Sequence, residues 1–140
     1  MTGTRLIGMF LTVPFLAAAE PPAVEKRGQT VVTKLEHVAA GPLAELNGRY
    51  KLRVSEVTYR PGGFIGDHHH AGPGIRCVQS GELTYVESGQ TSVFRSGDCF
   101  FESGDMTHTA RNDGDRPIVL LNFEVLPRDW EGPTAIPVPR

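Results

Sequence analysis

Three histidines stand together at His68-His69-His70, and another, His108, lies far along the chain. In an extended segment alternate side chains share a face, so His68 and His70 point one way and His69 the other. Two imidazoles on one face can hold one cation, and His108 could supply a third ligand. An H-x-H pair alone is a weak signal, because most such histidines are exposed or satisfied by ordinary hydrogen bonds. Arg76 follows closely. On a regular strand it shares the inward face, where its guanidinium could clamp a substrate carboxylate; a bulge would turn it out to solvent, and both readings stay open. Tyr85 reads as a half-buried strand tyrosine, with the alternative that its hydroxyl reaches into a cavity. Asp67, Glu102 and Asp105 border the histidines and read as solvated turn residues rather than catalytic bases. His37 has no partner pattern and reads as a surface or packing histidine. No catalytic acid, base or nucleophile is identified.

The elements that would carry these residues are short strands. Thr30–Glu36 is β-branched and Tyr50–Tyr59 alternates in part, with Asn47-Gly48 as a turn before it and Arg60-Pro61-Gly62-Gly63 as a break after it. Ile75–Gln79, Leu83–Glu87, Thr91–Phe94, Cys99–Phe101, His108–Arg111 and the apolar Ile118–Val125 follow, separated by Gly-, Ser- and Asp-rich turns. Sixteen glycines and eleven prolines in 140 residues, with no long amphipathic helical run, predict an all-β single domain. Many short strands at this spacing suggest a sandwich or a closed barrel.

Around the histidines the chain resembles the cupin superfamily. That family's first motif is G-x5-H-x-H-x3–4-E-x6-G; here Gly62, His68, His70 and Gly81 fall in register, and Gly74 stands where the family has Glu. The second motif is G-x5-P-x-G-x2-H-x3-N; Gly97, His108 and Asn112 match it, while Ser103 replaces the Pro and Asp105 the second Gly. The resemblance covers about Leu43 to Val125 and implies a jelly-roll barrel, a double-stranded β-helix, with its site in the mouth. Carried over position by position, it implies His68, His70 and His108 as ligands of one divalent metal ion, its identity open among Fe, Mn, Zn, Ni and Cu. The carboxylate ligand does not carry over, so water or an anionic ligand is expected at Gly74. Three neutral ligands leave open positions, the mark of a catalytic site. The leading expectation is a metal-dependent enzyme on a small, anionic molecule, with oxygenase-like chemistry first and isomerase or lyase chemistry also in range. The alternative is a non-catalytic module that binds a small ligand or a metal. A homodimer is one arrangement the resemblance admits.

Residues 1–19 read as a cleaved signal peptide: Arg5, then the apolar Leu6–Leu16, then Ala17-Ala18-Ala19. That run is too short to span a bilayer, so no stable membrane anchor is expected. Residues 20–29 read as a flexible lead-in, 30–127 as the barrel, and 128–140 as an extended surface tail. The product is expected to be periplasmic or secreted, where a Cys77–Cys99 disulfide could persist; whether the two cysteines meet stays open. A net charge of −2 with dispersed Lys and Arg excludes the basic surface that nucleic-acid binding requires.

Overall fold

Alternation along the longest strand sets the architecture. Lys51, Arg53, Ser55, Val57 and Tyr59 are buried, while the residues between them are half-buried or exposed. The computed structural model describes residues 22–139, which form nine strands and no helix. These are β1 Lys26–Val38, β2 Tyr50–His70, β3 Gly74–Ser80, β4 Glu82–Glu87, β5 Gln90–Arg95, β6 Cys99–Glu102, β7 His108–Arg111, β8 Ile118–Pro127 and β9 Ala135–Pro137. All pair antiparallel in the order β5-β4-β7-β2-β8-β3-β6, with β1 and β9 also on β2. The result is the expected nearly closed all-β barrel. Its core gathers Val57, Tyr59, Ile65, Val78, Leu83, Tyr85, Ala110, Ile118 and Leu120. Truncating fully buried Leu83 to Ala should cost about 2–5 kcal/mol.

Register lines up side chains across five strands. Glu36, Arg53, Glu124, Gly74 and Glu102 form one inward row. Leu35, Val54, Phe123, Ile75 and Phe101 form the adjacent row on the outer face. Cys77 and Cys99 are cross-strand partners in β3 and β6 and form a disulfide, their Cα atoms 4.1 Å apart.

Three expectations need correction. The lead-in ends sooner than residue 29, because Lys26 and Arg27 already pair with Ile65 and Phe64. The break expected at Arg60–Gly63 does not end the strand: β1 bridges both sides of it, so those residues are accommodated as an irregularity within β2. Gly63 is required there, since a Cβ would lie 2.8 Å from the Arg60 carbonyl oxygen. The tail is not merely superficial. Ala135–Pro137 pairs with His68–His70 and satisfies a strand edge otherwise left open. The expected signal peptide lies outside the described residues.

Candidate metal centre

β2 and β7 bring the histidines together by pairing. His68 is the cross-strand partner of His108, and His70 follows on the same face of β2. The three offer ligand atoms that all lie within 4.8 Å of one another. His69 points elsewhere and pairs with Ile136. His68 Nδ1 lies 2.8 Å from the Gly66 carbonyl oxygen and His108 Nδ1 3.1 Å from that of Met106. A carbonyl only accepts, so these bonds place the proton on Nδ1 and leave Nε2 with its lone pair. Fixing the tautomer through the second ring nitrogen is how metal-binding histidines are held. Burial, then neighbouring His108 and Arg76, hold the His68 pKa down at about 4. Burial and Arg76 also push that of His70 far down. Both rings are neutral at pH 7, as ligation requires.

Carboxylates surround this group. Glu102, expected as a solvated turn residue, is buried: its Oε2 lies 3.2 Å from His70 Nε2 and its Oε1 3.3 Å from His108 Nε2. Its inward direction follows from β6, where Phe100 and Glu102 share the face opposite Phe101. Glu124 Oε1 lies 3.6 Å from His70 Nδ1 and accepts a hydrogen bond from Thr134 at 2.8 Å. Arg76 does face inward, resolving the open alternative. It is 2 % exposed and bridges both carboxylates, with Nε 2.7 Å from Glu102 Oε2 and Nη2 3.2 Å from Glu124 Oε1. The first of these is an ion pair without hydrogen-bond alignment, since Glu102 Oε2 has no hydrogen-bond partner. His70 Nδ1 and Arg76 Nη1 lack one as well. Nor is there a vacancy at Gly74. A Cβ there would sit 2.2 Å from Arg76 Nη1 and 2.6 Å from the Phe123 carbonyl oxygen, so the guanidinium occupies the space expected to hold water or an anion.

Three converging imidazoles, an adjacent carboxylate and unpartnered buried polar atoms form a donor set that fits a divalent ion. A model of the cupin domain matches residues 55–124, a span that includes all three histidines. The chain belongs to the cupin family. No curated protein matches it. Among solved structures, the polyketide cyclase RemF from Streptomyces resistomycificus is similar at 15% identity, TM-score 0.61, covering 82% of this chain and 75% of that one. A cupin domain from Bordetella pertussis Tohama I is similar at 20% identity, TM-score 0.54, covering 72% and 96%. The cupin domain of an XRE-family transcriptional regulator from Enterobacter cloacae is similar at 18% identity, TM-score 0.54, covering 71% and 97%.

The cupin barrel encloses a cavity of about 760 Å³ that the three histidines help to line. Val57, Ile65, Leu83, Phe100 and Leu120 give it apolar walls, and Gly132–Ala135 of the tail close one side. The Tyr85 ring stacks on His108 at 4.9 Å, but its hydroxyl donates to Glu87 rather than into the site. Asp67, Asp105 and His37 are exposed, as expected. Glu102 and Glu124 were not recognised from sequence as site residues. The available signal was alternation: Glu124 falls on the inward phase of Ile118, Leu120 and Leu126, where a charge needs a buried partner.

Proposed function

We propose that this cupin holds one divalent metal ion through His68, His70 and His108 and uses it on a small molecule with an apolar body and an anionic oxygen group. The observation that carries this reading is the convergence of three buried imidazoles, two with their tautomer set by backbone carbonyls, on the wall of an apolar cavity. Such an ion would act as a Lewis acid toward a bound oxygen and, if redox-active, would support oxygenase-like chemistry. The residues around it orient the imidazoles, keep the guanidinium of Arg76 committed to two carboxylates, and shield the site from bulk water. Arg76 therefore acts on the site through Glu102 and Glu124, in place of a direct clamp on substrate. The solved polyketide cyclase of similar fold is an example of small-molecule chemistry on this architecture.

Elemental analysis of protein purified without a His tag tests the reading. About one equivalent of metal is expected, lost in His68→Ala, His70→Ala and His108→Ala and retained in His69→Ala. Equal loss in His69→Ala would contradict the geometry. One observation favours a non-catalytic binding module: Glu102 and Glu124 are ion-paired with Arg76 and the Tyr85 hydroxyl is bonded to Glu87, so no carboxylate free of a cationic partner stands among the described residues beside the triad. Stoichiometric metal without turnover on any small oxygen-bearing molecule would select that reading. We further propose export, with the mature chain beginning near Glu20. The disulfide supports an oxidising compartment, and mass spectrometry of natively produced protein checks it: a full-length cytosolic species would exclude it.

A further inference from the structure

Resting on the three-histidine reading, we infer that Glu102 is the anionic fourth ligand, standing across one strand pair from Gly74, which has no side chain to ligate. Gly74 and Glu102 are direct partners in the β3–β6 register, so side chains at either position project from the same level of the same face. At position 74 a ligand side chain has no room, because Arg76 Nη1 and the Phe123 carbonyl oxygen occupy it. At position 102 the carboxylate already reaches the imidazoles.

The contacts leave a place for a cation between the carboxylate and the rings. His108 donates from Nδ1 to Met106, and its Nε2 faces Glu102 Oε1 at 3.3 Å. A ring nitrogen and a carboxylate oxygen at that distance attract only with a proton or a metal ion between them, and an ion is the one of these that can also reach the other two imidazoles. The second carboxylate oxygen stands 3.2 Å from His70 Nε2 and has no hydrogen-bond partner although it is buried. Two donors each about 2.1 Å from one ion are about 3.0–3.4 Å apart at octahedral to tetrahedral angles. Both separations fall in that range. Arg76 and Gly74 complete the device: the glycine makes room for the guanidinium, which holds Glu102 through its Oε2 while Glu124 takes the other end of the guanidinium. The Glu102 carboxylate lowers the charge of the loaded site by one, so a bound ligand would share the ion with an existing anion.

The test is titration of Co(II) into metal-free protein by calorimetry, with visible absorption reporting coordination. Wild type, Glu102→Gln, Glu102→Asp and His68→Ala are compared, and circular dichroism of each metal-free variant checks folding. Glu102→Asp keeps the charge that neutralises Arg76 and only shortens the reach, so it guards against a Gln variant that folds poorly. Both Glu102 variants should bind Co(II) at least about 10-fold and on the order of 100-fold more weakly than wild type, with an altered visible spectrum. If both bind within about 3-fold of wild type with the same spectrum, while His68→Ala loses binding, the ion sits on the histidines alone and the inference about Glu102 is overturned. If wild type itself takes up no Co(II), or His68→Ala binds as wild type does, the three-histidine reading fails and this one with it.

Discussion

Replacing Gly74 with alanine isolates the spatial role of this position. Gly74 does not have a positive φ, so the backbone itself accepts a side chain. The added Cβ would nevertheless lie 2.2 Å from Arg76 Nη1, 3.1 Å from its Cζ and 2.6 Å from the backbone oxygen of Phe123. The carbonyl belongs to the β3–β8 ladder and cannot yield easily; the guanidinium can, but only by leaving Glu102 and Glu124. Stripping a buried ion network of its cation costs about 3–5 kcal/mol, because the carboxylates stay buried without compensation. Against a total stability of about 5–15 kcal/mol, the variant should fold but be marginal. Urea unfolding of metal-free protein, followed by circular dichroism at pH 7, gives the difference. Gly89→Ala is the control: Gly89 has φ +75 with nothing within 4 Å of a Cβ, so it reports backbone strain alone, about 1 kcal/mol. A Gly74→Ala loss below about 1 kcal/mol would refute the argument that Arg76 fills this space. By the same reasoning Gly74→Glu should destabilise at least as much and should not tighten metal binding, since the added carboxylate has no room to reach the histidines.

Other consequences can be measured directly. Replacing Cys77 and Cys99 together by Ala removes a cross-link spanning 22 positions and should cost about 3 kcal/mol in urea; an unchanged midpoint would mean the bridge adds nothing. His68 in the folded chain titrates near 4 against about 6.5 unfolded, so below pH 6.5 the unfolded state binds a proton the folded state refuses. Metal-free stability should therefore fall as pH drops from about 6.5 to 4, by roughly 3 kcal/mol from this group, and a flat profile would contradict it. The outer row exposes Leu35 at 62 %, Ile75 at 49 %, Phe101 at 67 % and Phe123 at 41 %. A contiguous apolar face of this kind is where the homodimer that the resemblance admits would form. Sedimentation should show dimer for wild type and monomer for Phe101→Glu, whereas monomeric wild type would leave this row without that role.

What the sequence disclosed, and what it hid, divides along local and non-local lines. His68 and His70 on one face and His69 on the other follow from the period of a strand, which needs no knowledge of the fold. His108 was reachable because the spacing of a second motif encodes the pairing of β7 with β2. Most strand boundaries were legible from Gly- and Asp-bearing turns. Glu102 was misread because its neighbours Ser103 and Gly104 look like the start of a solvated loop; what buries it is the register of β6 on β3. Arg76 stayed ambiguous for a similar reason, since its direction depends on the absence of a bulge after Gly74. The partners that bury it, Glu102 and Glu124, are on other strands. The tail was taken for surface because three prolines discourage strand prediction, yet a short segment there needs few N–H donors to cap the edge at His68–His70.

The placement of β8 and β9 also bears on the order of events during synthesis. β8 lies between β2 and β3, and β9 lies along the segment that carries His68 and His70. Both are late in the chain, so a nascent polypeptide that has already made all three histidines still lacks the strand that joins the two halves of the sheet. Thr134 and Gly132, which tie the tail to Glu124 and Arg53, emerge later still. Folding from the N-terminus is therefore of little use to this topology. The sheet is joined into one barrel only once residues 118–127 have been made, although the β2–β7 pairing that sets His68 against His108 needs neither β8 nor β9.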